Sequence, residues 1–301
     1  MVVLLKKKMF NDMKRLKALI VLMTFVIGLT AQTNFPLPQI PESIAQPEVR
    51  LSYLLNHFWD NYQFSDTTQV NQDLGEQGFA DFLNLLGYGN DEIIDQATKT
   101  FFEQAFKSRW GKAHYSQLIN HYLDNPNSPL RNDGIYVHFL RNIRPYFAND
   151  AATRERYAFK LKQAKKNLPG QLATDFSYTE RSGKQGKMSG LQAKFTLLFF
   201  HDPDCENCKR IMPLAVQERQ LQRQDLKVLL IYADKDYDAW KKDIHTYPAN
   251  WIDAYSPNGE IMQKLIYYVP ATPSFYLLDA DKKVILKDAS LDTVLAFLEQ
   301  N

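Results

Sequence analysis

An apolar run, a polar turn and a close pair of cysteines limit this chain more than any other feature. The run is Phe195-Thr196-Leu197-Leu198-Phe199-Phe200. The turn is His201-Asp202-Pro203-Asp204, and Cys205-Glu206-Asn207-Cys208-Lys209-Arg210 follows it. A short stretch rich in Phe and Leu, bounded by turn residues, predicts a buried strand. The cysteines then fall where a helix is expected to begin. The chain has only two cysteines, and both are here. They cannot build a disulfide framework or a four-thiolate zinc site. A single dithiol/disulfide couple is the chemistry that two thiols at this spacing suggest.

That chemistry assigns roles. Disulfide exchange needs a thiolate that is exposed and has a lowered pKa. A helix N-terminus provides free amide N–H groups and a favourable dipole within its first turn. Cys205 is therefore the expected nucleophile. Cys208, one turn along, is the expected resolving thiol. Asp202, Asp204 and Glu206 lie close in sequence, and carboxylates disfavour a nearby thiolate. Lys209 and Arg210 act the other way. Three acids against two bases predict a reductase or isomerase poise rather than that of a strong oxidant.

The 301 residues suffice for two domains. With 45% hydrophobic and 23% charged residues, the chain reads as an ordinary globular protein. A net charge of +2 offers no footprint for nucleic acid. At the N-terminus, Lys14, Arg15 and Lys17 precede an apolar stretch over residues 18–29, and Thr30-Ala31-Gln32 offers small residues for cleavage. This pattern predicts a signal peptide over residues 1–31, cleaved after Ala31 or retained as an anchor. Export places the protein in the periplasm or cell envelope, where a lone dithiol needs a redox partner to set its state. Residues 32–48 carry Pro36, Pro38, Pro41 and Pro47 and read as an extended spacer.

From residue 49 to 166 apolar residues recur every three or four positions, which predicts an all-α domain of about five helices. Leu51, Leu54, Leu55, Phe58 and Trp59 form one face. The series from Ile93 to Trp110 predicts a longer helix capped by Asn90 or Asp91. Residues 124–129 read as a turn. Aromatics at helical spacing are expected to be core rather than a ligand cage. His57, His114, His121 and His138 lie on different predicted helices, so no metal site is expected from them. Asn167-Leu168-Pro169-Gly170 breaks the pattern and marks the boundary of a second domain over residues 167–301. There the spacing predicts strands over 173–178, 187–189, 195–200, 226–233, 274–278 and 284–287. It predicts helices over 205–222, 237–244, 261–265 and 291–299, the last capped by Ser290. Alternating strands and helices imply a mixed sheet covered on both faces.

Cys205-Glu206-Asn207-Cys208 after a buried strand resembles the thioredoxin active site. Val269-Pro270-Ala271-Thr272-Pro273-Ser274-Phe275-Tyr276-Leu277-Leu278-Asp279 looks like the cis-proline segment of that superfamily and the strand after it. Pro169-Gly170, Ala173, Asp175-Phe176 and Leu197-Leu198-Phe199-Phe200 are similar to the exported, TlpA-like thiol:disulfide oxidoreductases. The helical part, with His57-Phe58-Trp59-Asp60-Asn61 and residues 124–129, resembles an N-terminal domain of unknown function found before such modules in exported bacterial proteins. The resemblance implies a thioredoxin-like fold for residues 167–301, a cis Pro273, and pairing of an extended client with the backbone at Thr272. It implies disulfide-bearing client proteins and an upstream membrane or envelope thiol donor as partners, with no cofactor. Three positions depart from thioredoxin itself. Asp204 replaces the Trp before the first cysteine, Glu206-Asn207 replaces Gly-Pro, and Phe199 stands close to the place of a buried acid. A peroxidase reading fails because Leu198 and His201 occupy the positions where that pattern needs Pro. The competing class is a non-catalytic thioredoxin-fold binding protein of the cell envelope, with the helical domain as receptor.

Overall fold

Apolar residues three and four apart fold the N-terminal half into helices. The computed structural model describes residues 34–232, 237–242 and 247–301. The candidate export signal over residues 1–31 lies outside them. The helices are α1 (Pro47–His57), α2 (Gln69–Leu86), α3 (Asp91–Ala105), α4 (Arg109–Ile119), α5 (Asp133–Ile143) and α6 (Ala151–Ala164). Asn90, Ser108, Asn132 and Asp150 cap α3 to α6, each side chain accepting from the N–H three residues on. The aromatics are core: the Trp59 ring lies 5.4 Å from Phe101 and 5.8 Å from Tyr115, and all three are buried. No helix among the described residues is long and apolar enough to cross a membrane.

Two expectations change here. The series from Ile93 to Trp110 is two helices, not one. The chain turns after Ala105, and Gly111 then packs so close to the Ala105 carbonyl that a Cβ would sit 2.2 Å from it. Residues 32–48 are not extended throughout, because Pro47 and Glu48 already form the first turn of α1. Proline is well suited to that first position.

The C-terminal half comprises β1 (Ser177–Glu180), β2 (Gln185–Lys187), β3 (Phe195–His201), α7 (Glu206–Gln217), β4 (Leu226–Tyr232), α8 (Tyr237–Lys242), β5 (Trp251–Tyr255), β6 (Ser274–Leu278), β7 (Val284–Ala289) and α9 (Leu291–Glu299). The strand order is β2-β1-β5-β4-β3-β6-β7. β3, β4 and β5 run parallel, and β1, β6 and β7 pair antiparallel to their neighbours. This is a thioredoxin-like mixed sheet preceded by an all-α domain. All seven residues of β3 are buried, so both of its faces are covered. Phe195, Leu197 and Phe199 pack under α7 and α9 against Ala215, Leu291 and Val294. Leu198 and Phe200 meet Met188, Ile261 and Tyr267 on the other face.

Several elements differ from the sequence reading. β5 carried no clear apolar period, since Asp253 interrupts it. Its carboxylate takes the Trp240 indole N–H at 2.9 Å and the Arg181 guanidinium, partners that only the folded chain supplies. Residues 261–265 turn instead of forming a helix: Leu265 adopts a left-handed backbone (φ 50°), and its carbonyl accepts from the Lys166 ammonium. The first strand lies at Ser177–Glu180, and the return strand is Gln185–Lys187, with Met188–Gly190 a single helical turn. α7 ends at Gln217, where Glu218 is extended, and a short 3₁₀ turn over Arg219–Gln222 buries Leu221. The helix expected over 237–244 is present as Tyr237–Lys242, and residues 243–244 lie outside the described residues.

Residues 36–301 form one compact unit. Its two halves meet through buried charges. Arg131 Nη1 lies 2.5 Å from Asp288, and Lys287 Nζ lies 2.7 Å from Asp133. The Ser274 hydroxyl donates to Asp288 at 2.6 Å, and Lys287 also donates to the Ala164 carbonyl at 2.7 Å. Burial pushes the Asp288 pKa up and the Lys287 pKa down, so each charge depends on its partner. Removing one member leaves an uncompensated buried charge, which costs about 3–5 kcal/mol. Arg131→Ala is accordingly expected to lower the unfolding free energy by roughly that amount, read from urea denaturation. A loss under about 1 kcal/mol would class the quartet with surface ion pairs.

Candidate active site

The turn after β3 sets the cysteines. The Cys205 N–H donates to the Asp202 carbonyl at 3.1 Å, and the Asp204 N–H donates to the Asp202 carboxylate at 2.9 Å. The chain then enters α7 with Cys205 as its N-cap, in an extended conformation (φ −78°, ψ 121°). Cys208 is the third residue of the helix. Both are free thiols. Cys205 is half-buried, whereas Cys208 is only 2% exposed. An attacking thiol therefore faces outward and a second lies behind it in the same helical turn.

The cis-proline segment completes the site. The Thr272–Pro273 peptide bond is cis, as the resemblance implied. Thr272 precedes β6, and its carbonyl accepts from the Cys205 sulfur at 3.1 Å. That bond needs the sulfur's proton and is lost on ionisation. The other neighbours favour the thiolate. Burial pushes the Cys205 pKa up, but the Thr272 side chain, the backbone N–H groups of Cys208 and Asn207 and the Cys208 thiol outweigh it, so the value is lowered. Cys208 behaves oppositely. Burial and the Cys205 charge push its pKa up to about 12. Of the two sulfurs the outer one is the more acidic and the inner one keeps its proton at neutral pH.

The carboxylates do less than their positions in sequence suggested. Asp204 and Glu206 are exposed. Glu206 pairs with Lys209 at 2.8 Å, and both acids raise the Lys209 pKa, Glu206 first. The groups acting most on Cys205 are the helix amides and Thr272. Behind the pair, Phe199 is fully buried with its ring 4.4 Å from Phe275, so no acid stands at that place. His201 closes β3, 2% exposed, with its ring 6.2 Å from Tyr232. Pro213 lies inside α7. The four histidines of the helical half stay apart: His57 meets Asp60, His114 stacks on Trp110, His121 lies on Tyr122, and His138 sits between Asp91 and Asp95. Among the described residues no group of three or more His, Cys, Asp or Glu side chains is placed to hold a metal ion.

One feature had no local signal in the sequence. A cavity of about 740 Å³ is lined by Asn207, Arg210, Thr272 and Pro273 and by the turn over residues 126–129; it reaches the dithiol through Asn207 and through Thr272, which touches Cys205. Those segments are far apart in the chain, and the charge quartet ties the one to the other.

Fold and dithiol together define a thioredoxin-like protein. Residues 7–167 match the family described as Domain of unknown function (DUF5106), and residues 169–287 match the AhpC/TSA family. The first match spans more than half of the chain, and the chain belongs to that family. It is similar to a thioredoxin-like protein from Bacteroides caccae ATCC 43185, 32% identical over 90% of this chain and 100% of that one, with a TM-score of 0.79. A conserved protein of unknown function from Bacteroides fragilis is 36% identical over 43% of this chain and 98% of its own, with a TM-score of 0.41. The C-terminal domain of an uncharacterized protein from Bacteroides fragilis NCTC 9343 is 35% identical over 44% and 98%, with a TM-score of 0.42. No curated protein matches the chain.

The two thiols should titrate separately. Alkylation of the reduced protein with iodoacetamide is expected to label Cys205 first, its rate rising with pH through an inflection below that of an unperturbed thiol. Cys208 should stay unlabelled until the pH approaches about 12. Because folding favours ionised Cys205, that group adds stability above the unfolded thiol's pKa and loses it as pH falls through the lower folded value. Equal labelling of both sulfurs, read by mass spectrometry of the peptides, would contradict this asymmetry.

Proposed function

We propose that the protein is an exported, TlpA-like thiol:disulfide oxidoreductase that reduces or isomerises disulfides in client proteins. The observation that supports this most is the unequal pair: a half-exposed Cys205 with a lowered pKa beside Thr272, and a buried, protonated Cys208 in the same turn. The Cys205 thiolate attacks one sulfur of a client disulfide. The S–S bond breaks, the other client sulfur leaves as a thiolate and takes a proton, and a Cys205–client mixed disulfide forms. Cys208 then gives up its proton and attacks Cys205. The client leaves with both sulfurs reduced, and the protein holds a Cys205–Cys208 disulfide. Two electrons from an envelope thiol donor restore the dithiol. If Cys208 does not intervene, the freed client thiolate attacks another client disulfide, the thiolate released there attacks the mixed disulfide, Cys205 leaves as a thiolate, and the client is isomerised.

Thr272 and Pro273 are the proposed client-binding residues. Thr272 stands outside the β6 ladder, so its backbone is open to pairing with an extended client. Export rests on the sequence pattern of residues 1–31, and the envelope setting follows from it. The proposed domain division is residues 49–166 and 167–301.

Two variants test the reading. Cys205→Ser is expected to abolish insulin reduction, followed as turbidity with dithiothreitol as donor. Cys208→Ser is expected to retain attack but lose resolution, so that mixed disulfides with client proteins accumulate on non-reducing gels. Turnover that survives Cys205→Ser would remove the exchange mechanism and favour the binding-protein alternative.

A further inference from the structure

We propose that the cavity beside the dithiol is a client-selecting groove whose second wall is the turn over residues 126–129 of the helical domain, and that it takes an extended polypeptide segment with a carboxylate side chain near its disulfide. The proposal rests on the exchange reading above and adds the substrate class.

Size comes first. At about 740 Å³, the cavity falls within the about 300–1,000 Å³ of sites that enclose a drug-sized ligand. It admits a short stretch of chain and excludes a folded domain. Its two walls offer groups that suit a main chain. Asn207 and Thr272 lie on the redox side, with Thr272 touching Cys205. Asn127 comes from the helical half, exposed, with its backbone N–H donating to the Asn125 side chain at 3.0 Å. The wall is held in place. Ser128 N–H donates to Asn125 O at 3.1 Å and Arg131 N–H donates to Ser128 O at 3.2 Å, and the turn then runs into the buried quartet that ties it to β7.

Charge sets the preference. Three cations and two carboxylates line the cavity. Arg131 and Lys287 are neutralised by Asp288 and Asp133. Arg210 remains, exposed and without an ion-pair or hydrogen-bond partner among the described residues, two positions past Cys208 on the same helix. Lys209 is tied to Glu206, and neither lines the cavity. A segment that reaches Cys205 through this groove passes an unpaired guanidinium, which favours a carboxylate and disfavours a lysine.

The test uses the full reduced chain and two synthetic peptides of equal length, each with one cysteine carried as a mixed disulfide with thionitrobenzoate. One peptide has Asp flanking the cysteine and the other has Lys. Cys205 attacks the peptide sulfur, thionitrobenzoate leaves and is read by absorbance, and Cys208 then frees the peptide thiol. The wild-type chain is expected to favour the Asp peptide by about threefold, the scale of one partly exposed ion pair. Arg210→Glu should reverse that ratio. Asn127→Trp should lower the rate on both peptides about tenfold relative to the rate on dithionitrobenzoate measured with the same variant. A peptide ratio near one that neither variant moves, with normal reaction of dithionitrobenzoate at Cys205, overturns the groove and leaves exchange standing. Reaction of dithionitrobenzoate that is equal in Cys205→Ser overturns the exchange reading itself.

Discussion

The amides at the start of α7 are the constraint on which the rest depends. A sulfur at the N-cap sits where several N–H groups have no partner within the helix. The same sulfur as a thiolate supplies what those groups lack. This works only if the helix starts at a fixed place and the sulfur faces out. β3 fixes the place, because it is buried on both faces and paired on both edges, and Asp202 ties the turn that follows it. Cys208, one turn further in, is buried by the same packing that holds α7 on the sheet. The difference between the thiols is thus a consequence of the helix resting on Phe199 and its neighbours, and needs no acid beneath the pair.

A second constraint joins the halves. Four charged side chains, Arg131 and Asp133 at the start of α5 and Lys287 and Asp288 near the end of β7, are buried together. Such groups are weak evidence for stability, since apolar residues can often replace them at no loss. They do fix geometry, because each charge is tolerable only beside its partner. Here the geometry fixed is that of the turn over residues 126–129 against Thr272 and Pro273. The helical half therefore lines the cavity next to Thr272 and Pro273, while both cysteines come from the other half.

Elements with a strong local signature were legible in the sequence. α9 begins and ends at the expected residues because Ser290 caps a clean apolar stripe. β3, β4 and β6 were visible as apolar runs, and the aromatic faces of the helical half fold into its core. β5 was missed because Asp253 breaks its pattern and is satisfied by Arg181 and Trp240, each distant in sequence. Residues 261–265 differ for a related reason: Ile261 covers the sheet from a turn while Met262 is exposed, and the period of a helix is there by chance. In the candidate site, the cysteines and the Thr272–Pro273 segment could be named from spacing and resemblance. The balance of charge could not. A count of acids near Cys205 misses that Glu206 turns to Lys209, and no local pattern marks Asn127 and Arg210 as lining one cavity.

The central claim is that Cys205 and Cys208 form one two-electron couple, the outer thiol the more acidic and the inner one the less. A redox titration against glutathione buffers, read by the mass of the quenched protein, tests it most directly. The account predicts a single two-electron transition to an internal disulfide, at a potential more negative than the about −120 mV of a strong disulfide oxidant. Two thiols that persist in oxidising buffer, or a potential as high as that value, would contradict it.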